Sequence, residues 1–164
     1  MPDPSAWRID RVKWASTSFD GIGAAQEGGR WNSAGVRVVY CSRNLAMATQ
    51  EKYVHLPKPV LLKLVKFRIE FNGLAIESVG TLPPDWQSFP PPPSTQKLGD
   101  AWAASRRTVI WAVPSVIIPE ETNYLLNPAH PDFAKLGIST PEPFAFDGRI
   151  AQLQDPTSLP APKP

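Results

Sequence analysis

The chain has 164 residues, of which 42% are hydrophobic and 20% are charged, with a formal net charge of +2. This length suits one domain with a sizeable core, and the composition is that of a globular protein rather than a disordered chain. The basic residues are scattered, so the chain lacks the basic stripe of proteins that follow a nucleic acid backbone. We therefore expect no direct binding of nucleic acid.

The first 40 residues show no secretory leader, and no apolar run approaches the roughly 18 residues that a membrane span needs. A cytoplasmic protein without membrane association is the expectation. The single cysteine, Cys41, excludes an internal disulfide, and we expect it to be a buried small side chain within a strand.

A β-hairpin is the first predicted element. Residues 36–41 are rich in β-branched side chains, with Val36, Val38 and Tyr40 on one face. Residues 28–32 precede them, separated by a short loop that contains a glycine. That arrangement is typical of two antiparallel strands joined by a tight turn.

Two helices follow. The first is predicted over residues 44–55, with Ser42 or Asn44 as its cap and Pro57 as its end. The second is predicted over residues 95–106. Further strands are expected at 61–69, where Val65, Phe67 and Ile69 face inward, and in shorter form at 108–113, 116–118 and 144–146. Strands that outnumber helices without alternating with them predict an α+β fold with a mostly antiparallel sheet flanked by a few helices.

Prolines occur in two clusters, one inside the domain and one after it. The run at residues 90–93 predicts an extended loop without backbone donors. Residues 153–164 carry four prolines and are expected to form a tail. With no internal repeat in the chain, the prediction is one globular domain over residues 6–152.

Several common chemistries lack their motifs. A phosphate-binding P-loop, a CxxC pair and a GxSxG serine elbow are all absent, and the glycines at 21–26 do not complete a dinucleotide fingerprint. The two histidines are far apart, and no His/Cys cluster has metal-ligand spacing. These absences argue against metal hydrolysis, Rossmann redox chemistry and phosphoryl transfer, and we expect no metal.

Glu51 is the first candidate for chemistry. It shares a helix face with Met47 and Val54, and a carboxylate on an apolar stripe is costly to bury unless it is paired or used. His55 lies one turn further along and is close enough in sequence to touch it. The alternative is that Glu51 lies at the edge of the stripe and points into water.

Two more candidates come from the predicted hairpin. Arg30 follows two glycines, which let a backbone approach a ligand, and its guanidinium offers a fork for phosphate or carboxylate. A surface arginine after a flexible turn is the alternative. Tyr40 lies at the end of its strand on the valine face, where a core tyrosine is the alternative.

Taken together with their surroundings, these residues resemble the RES domain. The matching motifs are GGRWN at 28–32, VVYCS at 38–42, LA at 45–46, Glu51, VHL at 54–56, WAVPS at 111–115, ETNYLLNP at 121–128, HP at 130–131, PF at 143–144 and FDGR at 146–149. They follow the family's order across nearly the whole domain. The residues that give the family its name match Arg30, Glu51 and Ser115.

The resemblance implies a fold related to ADP-ribosyltransferases and NAD⁺ as substrate rather than cofactor. It also implies a bacterial toxin that depletes NAD⁺ by hydrolysis or phosphorolysis, or else modifies a protein by ADP-ribosylation. An Xre-like antitoxin is the implied partner, expected to cover the active site. A catalytically silent binding module is the remaining alternative, and the presence of Arg30, Tyr40 and Glu51 together argues against it.

Roles follow from that chemistry. Glu51 would stabilise positive charge on the ribose, Arg30 would hold the pyrophosphate, and Tyr40 would pack against the nicotinamide or its ribose. Inorganic phosphate is a possible second substrate. The other expected substrate-binding residues are Ser115, Asn123, His55, Trp31 and Asn32.

Overall fold

The computed structural model describes residues 4–57 and 60–152, and the predicted tail at 153–164 lies outside them. The strands are β1 (Ser5–Arg11), β2 (Val39–Ser42), β3 (Leu64–Glu70), β4 (Ile76–Ser78), β5 (Ile110–Pro114), β6 (Thr122–Leu126), β7 (Gly137–Ile138) and β8 (Glu142–Phe144). The α-helices are α1 (Ile22–Glu27), α2 (Leu45–His55), α3 (Pro93–Ser105) and α4 (Gly148–Gln152). Short 3-10 helices occupy Val12–Thr17 and Pro131–Lys135.

One eight-stranded sheet organises the molecule. Its order is β4-β5-β6-β2-β1-β3-β7, with β8 also paired to β3. Only the β4–β5 pair is parallel within the described part of the chain. The α+β class and the mostly antiparallel sheet are therefore confirmed. None of the helices in the described residues has the length and apolar character that crossing a membrane requires.

Helix α2 begins where its sequence predicts. The Asn44 side chain accepts a hydrogen bond from the backbone N–H of Met47, which satisfies one of the free donors of the first turn. Met47 and Ala48 are buried, and Ala48 packs with Ile9 of β1. Val54, however, is 52% exposed, so the apolar stripe expected around Glu51 ends before the last turn.

Strands β1 and β2 share only one paired position, Trp7 with Ser42. Beyond it, the guanidinium of Arg8 donates to the carbonyl of Tyr40 at 2.9 Å, in the place of a ladder bond. Arg8 also donates to Asp10 at 2.9 Å. A buried polar cluster thus fills the gap between the two strands.

Lys52 of α2 joins this cluster, with its Nζ 3.3 Å from Asp10 Oδ1. Ser18 donates to the other carboxylate oxygen of Asp10 at 2.8 Å. Burial raises the pKa of Asp10, but the charges of Arg8 and Lys52 and the hydrogen bonds outweigh it, so this pKa lies below its usual value. For Lys52, burial prevails and the pKa is lowered despite the ion pair.

A tryptophan cluster joins α3 to the sheet. The ring of Trp102 in α3 stacks on Trp111 of β5, with centroids 5.5 Å apart. Trp31 meets the same Trp111 ring edge-on, also at 5.5 Å. All three indoles are buried. Helix α3 confirms the predicted second helix, and it begins at Pro93, so the last residue of the proline run is helical rather than extended.

Two predicted elements are wrong. Residues 28–32 make only an isolated bridge between Gly29 and Asn32, and no hairpin forms. The reason is Asn32, whose side-chain amide donates to the carbonyls of Ala24, Ser33 and Val36 and so takes over the role of a strand ladder. Residues 116–118 are not a strand, because their backbone turns over Ser115. Cys41 is buried in β2, as expected.

Candidate active site

Glu51 lies on α2, half-buried, facing the ends of β5 and β6. Its Oε1 accepts two hydrogen bonds, one from the hydroxyl of Ser115 at 2.7 Å and one from the side-chain amide of Asn123 at 2.6 Å. Oε2 accepts no hydrogen bond from the described residues. One oxygen of the carboxylate is therefore fixed by the protein, and the other is available to a ligand.

A second layer orients these donors. Ser42 of β2 lies opposite Asn123 of β6 in the sheet register, and its hydroxyl donates to the Asn123 side-chain oxygen at 2.8 Å. That bond leaves the amide nitrogen of Asn123 to face Glu51. Sequence reasoning proposed Ser42 only as a helix cap. Its position next to β6 could not be read from the chain because the two residues are far apart in sequence.

Arg30 lies before β2, in residues 28–33, the Arg30 segment. Its Nη1 donates to the carbonyls of Trp86 and Ser88, the second at 3.0 Å. Nε and Nη2 make no hydrogen bond to the described residues. Burial lowers the pKa of Arg30, while Tyr40 and the carboxylate of Glu51 act in the opposite direction. The charges of Arg30 and Glu51 thus influence each other, and the guanidinium stays protonated at neutral pH.

Tyr40 connects the Arg30 segment to the sheet. Its hydroxyl accepts from the backbone N–H of Trp31 at 3.0 Å and donates to the Asn32 side-chain oxygen at 2.7 Å. Burial raises the pKa of Tyr40, so the phenol remains neutral. Because the hydroxyl already has two partners, only the ring is left to contact a ligand.

Of four expected substrate-binding side chains, three are buried and one is exposed away from Glu51. Trp31 is 2% exposed and Asn32 is fully buried, so both have structural roles. Ser115 is also fully buried, and its hydroxyl reaches only Glu51 and the backbone that follows it. His55 is exposed at the last residue of α2, and no hydrogen bond or ion pair joins it to Glu51 in the described structure. Residues four positions apart share a helix face, but His55 is the last residue of α2 and its side chain lies in solvent.

The structure therefore brings Glu51, Arg30 and Tyr40 together, with Asn123 and Ser115 behind the carboxylate. Such a site combines a fixed negative charge with a positive charge in reach of it. A ligand that carries an anionic group and develops positive charge elsewhere would be stabilised at both ends. Among the described residues, no group of three or more His, Cys, Asp or Glu could hold a metal ion.

Comparison with known proteins identifies the family. Residues 5–147 match the model of the RES domain. The Prs ADP-ribosylating toxin of Sphingobium sp. (strain YBL2) is 38% identical, over 89% of this chain and 96% of that protein. A Toxin Res of Yersinia enterocolitica is 32% identical, over 88% and 97%, and one of Pseudomonas putida is 32% identical, over 88% and 97%.

A solved structure supports the fold. The crystal structure of the M. tuberculosis MbcT–MbcA toxin–antitoxin complex contains a chain that superposes with a TM-score of 0.65 at 15% identity, over 86% of this chain and 84% of that one. At such low identity the likeness concerns the fold alone. The family model and the relatives decide the membership: this chain belongs to the RES-domain family of toxins.

Proposed function

We propose that the chain is the toxin of a toxin–antitoxin pair and that it cleaves the bond between nicotinamide and ribose in NAD⁺. The observation that carries the proposal is the state of Glu51. One of its oxygens is held by Ser115 and Asn123 at 2.7 and 2.6 Å, the other has no hydrogen-bond donor among the described residues, and the charge of Arg30 is close enough to interact with the carboxylate. A carboxylate held in this way is suited to stabilise positive charge on a sugar.

The reaction needs little acid–base chemistry. When the bond between the ribose carbon and the ring nitrogen breaks, the electron pair goes to nicotinamide, which leaves as a neutral molecule. Positive charge then grows on the ribose, and Oε2 of Glu51 stabilises it while accepting a hydrogen bond from a ribose hydroxyl. The oxygen of a water or phosphate acceptor forms the new bond to the same carbon, and when the acceptor is water its extra proton passes to the solvent.

Arg30 supplies the second part of the site. With Nη1 bound to the Trp86 and Ser88 carbonyls, its Nε and Nη2 remain to bind the pyrophosphate of NAD⁺ in a two-pronged contact. The Tyr40 ring would pack against the nicotinamide or its ribose and keep the scissile bond near Glu51. NAD⁺ is the substrate in this scheme, and no other cofactor is required.

A protein is the alternative acceptor. The relative from Sphingobium is named an ADP-ribosylating toxin, and it is 38% identical over 89% of this chain. The cleavage step at Glu51 would be the same, but ADP-ribose would be attached to a side chain of a target protein. The two candidates therefore differ only in what attacks the ribose.

An antitoxin partner belongs to the proposal, because an enzyme that consumes NAD⁺ must be held inactive in its own cell. The MbcT toxin was solved as a complex with its antitoxin. We expect a cytoplasmic Xre-like antitoxin that covers Arg30 and Glu51 of this chain and carries any DNA binding of the pair. Undiminished NAD⁺ turnover by the complex would contradict this part of the proposal.

The test is to incubate the antitoxin-free chain with NAD⁺, with and without phosphate, and to identify the products by mass spectrometry. Glu51→Gln should lower the rate by a factor of about 10² to 10³. Glu142→Gln is the control, because Glu142 is exposed and pairs with Lys66 on β3. ADP-ribose would indicate hydrolysis, and a phosphorylated ADP-ribose would indicate phosphorolysis. If the isolated chain releases no nicotinamide, but ADP-ribose becomes attached to a protein after a lysate is added, a protein is the favoured acceptor.

A further inference from the structure

Helix α3 lies directly against the segment that carries Arg30. The hydroxyl of Thr95, which is fully buried, donates to the backbone carbonyl of Arg30 at 2.6 Å. The next residue of the helix, Gln96, reaches the same segment, and its side-chain amide donates to the carbonyl of Gly29 at 3.0 Å. Two consecutive carbonyls of the segment are thus held by side chains of α3.

Two further residues of α3, Gly99 and Asp100, join Thr95 and Gln96 in the contact surface that the helix forms with residues 29–33. Asp100 accepts a hydrogen bond from the backbone N–H of Ser33 at 2.9 Å. Gly99 lies between Gln96 and Asp100 on the helix, and a Cβ added there would collide with the carbonyl of Trp31. A glycine is therefore required at this position so that the helix and the segment can approach each other.

The segment depends on these contacts because it has little regular structure. Its only ladder contact is the isolated bridge between Gly29 and Asn32. Backbone hydrogen bonds hold its two ends, from the Gly28 N–H to the Ala24 carbonyl and from the Val36 N–H to the Ser33 carbonyl, while side chains hold its middle, with Tyr40 on one side and α3 on the other. Moving the backbone at Arg30 would move the guanidinium relative to Glu51.

We propose that Thr95, Gln96 and Gly99 are positioning residues for substrate binding, acting through the backbone of Arg30. They do not touch the substrate. They fix the start of the Arg30 side chain, so that Nε and Nη2 are presented to a pyrophosphate without a prior rearrangement. The inference rests on the proposed function, because it assigns to this contact surface the binding of the same dinucleotide.

Thr95→Val is the first test, since valine keeps the shape of the side chain and removes the donor. The expected result is a KM for NAD⁺ raised about 3- to 10-fold, the range that corresponds to one net hydrogen bond, with kcat changed by less than about twofold. Thr95→Ser retains the hydroxyl and should restore the wild-type KM. An equal rise in KM for both variants would overturn the proposal.

A double-mutant cycle separates positioning from general damage. If Thr95 acts through Arg30, Thr95→Val should raise KM no further in the Arg30→Ala background. Effects that multiply in the double variant would overturn the proposal. If Thr95→Val does not fold, Gln96→Met takes its place in the cycle, because methionine has a similar length without the donor.

Gly99→Ala tests the close approach, with Gly23→Ala as its control. Both glycines lie within helices, but a Cβ at Gly23 would meet nothing within 4 Å. We expect Gly99→Ala to raise KM and Gly23→Ala to leave it unchanged. The reverse pattern, or equal effects, would contradict the proposed role of this contact surface.

Amide hydrogen exchange tests the positioning without NAD⁺. Thr95→Val should speed exchange at the backbone N–H groups of Trp31 and Ser33 more than at the core strand β6, whereas Thr95→Ser should not. Unchanged exchange in the segment would overturn the inference even if NAD⁺ is cleaved. Absence of NAD⁺ cleavage by the wild-type chain, with faster exchange in Thr95→Val, would instead refute the proposed function and leave the structural role of Thr95 in place.

Discussion

Replacing Ser115 with alanine tests how Glu51 is held. The hydroxyl of Ser115 is fully buried and donates to Oε1 of Glu51 at 2.7 Å, so it cannot contact a substrate directly. A hydrogen bond to a charged group contributes about 1.5–3 kcal/mol. If that contribution is needed in the transition state, kcat falls about 10- to 100-fold, because each 1.36 kcal/mol corresponds to a factor of ten. Asn123 still holds the same oxygen, which keeps the loss below that of removing the carboxylate itself.

The assay is the steady-state rate of nicotinamide release over a range of NAD⁺ concentrations. Ser115 also accepts from the backbone N–H groups of Ile117 and Ile118, at 3.1 and 3.3 Å, so some loss of stability is expected as well. Ser139→Ala is the matched control. Its hydroxyl likewise accepts a backbone N–H, that of Arg68 at 3.0 Å, but it lies beside β7, away from Glu51.

Two results would refute the reasoning. The first is a folded Ser115→Ala variant with wild-type kcat. The second is a further fall in kcat when Ser115→Ala is added to Glu51→Ala, because a serine that acts only through the Glu51 side chain has nothing left to position. A decrease that Ser139→Ala shares would indicate that lost stability, rather than lost positioning, is the cause.

Asp10→Asn should lower the free energy of unfolding by about 3 kcal/mol at neutral pH, whereas Glu142→Gln, in an exposed ion pair, should change it by less than about 0.5 kcal/mol. Because the pKa of Asp10 is lowered in the folded chain, its stabilisation is complete above the unfolded pKa of about 3.9 and is lost as the pH falls further. In urea titrations, the free energies of unfolding of the wild type and of Asp10→Asn should therefore converge in acid. Tyr40→Phe leaves the N–H of Trp31 without its partner and should cost about 1–3 kcal/mol in the same measurement, while an unchanged midpoint would contradict the contact. Burial raises the pKa of Cys41 to about 12, so iodoacetamide at pH 8 should label the urea-unfolded chain and spare the native one, as judged by mass spectrometry.

Local sequence signals predicted the elements that local interactions decide. Helix α2 begins at Leu45 because Asn44 caps it, and β3 alternates as expected, with Phe67 and Ile69 buried and Arg68 exposed. Strand β1 was not predicted. Its inward positions include Arg8 and Asp10, and charged residues there conceal the alternation that identifies a strand.

The candidate site shows the same division. Glu51 was selected because a carboxylate on a helix face with apolar neighbours needs a reason, and the structure supplies one in its two donors. Those donors lie 64 and 72 residues away along the chain, and no periodicity links them to Glu51. The family resemblance predicted that Ser115 matters, but only the structure shows that it lies behind the carboxylate and donates to it.

The stacked indoles of Trp102 and Trp111, with Trp31 edge-on to the second, have an optical consequence. Aromatic rings held this close in one asymmetric arrangement couple their electronic transitions and give a strong near-ultraviolet circular dichroism signal. Trp102 is on α3 and Trp31 adjoins Arg30, so the signal reports how the helix sits on the Arg30 segment. The protein thus contains its own spectroscopic probe of the surface next to the site, readable without a label.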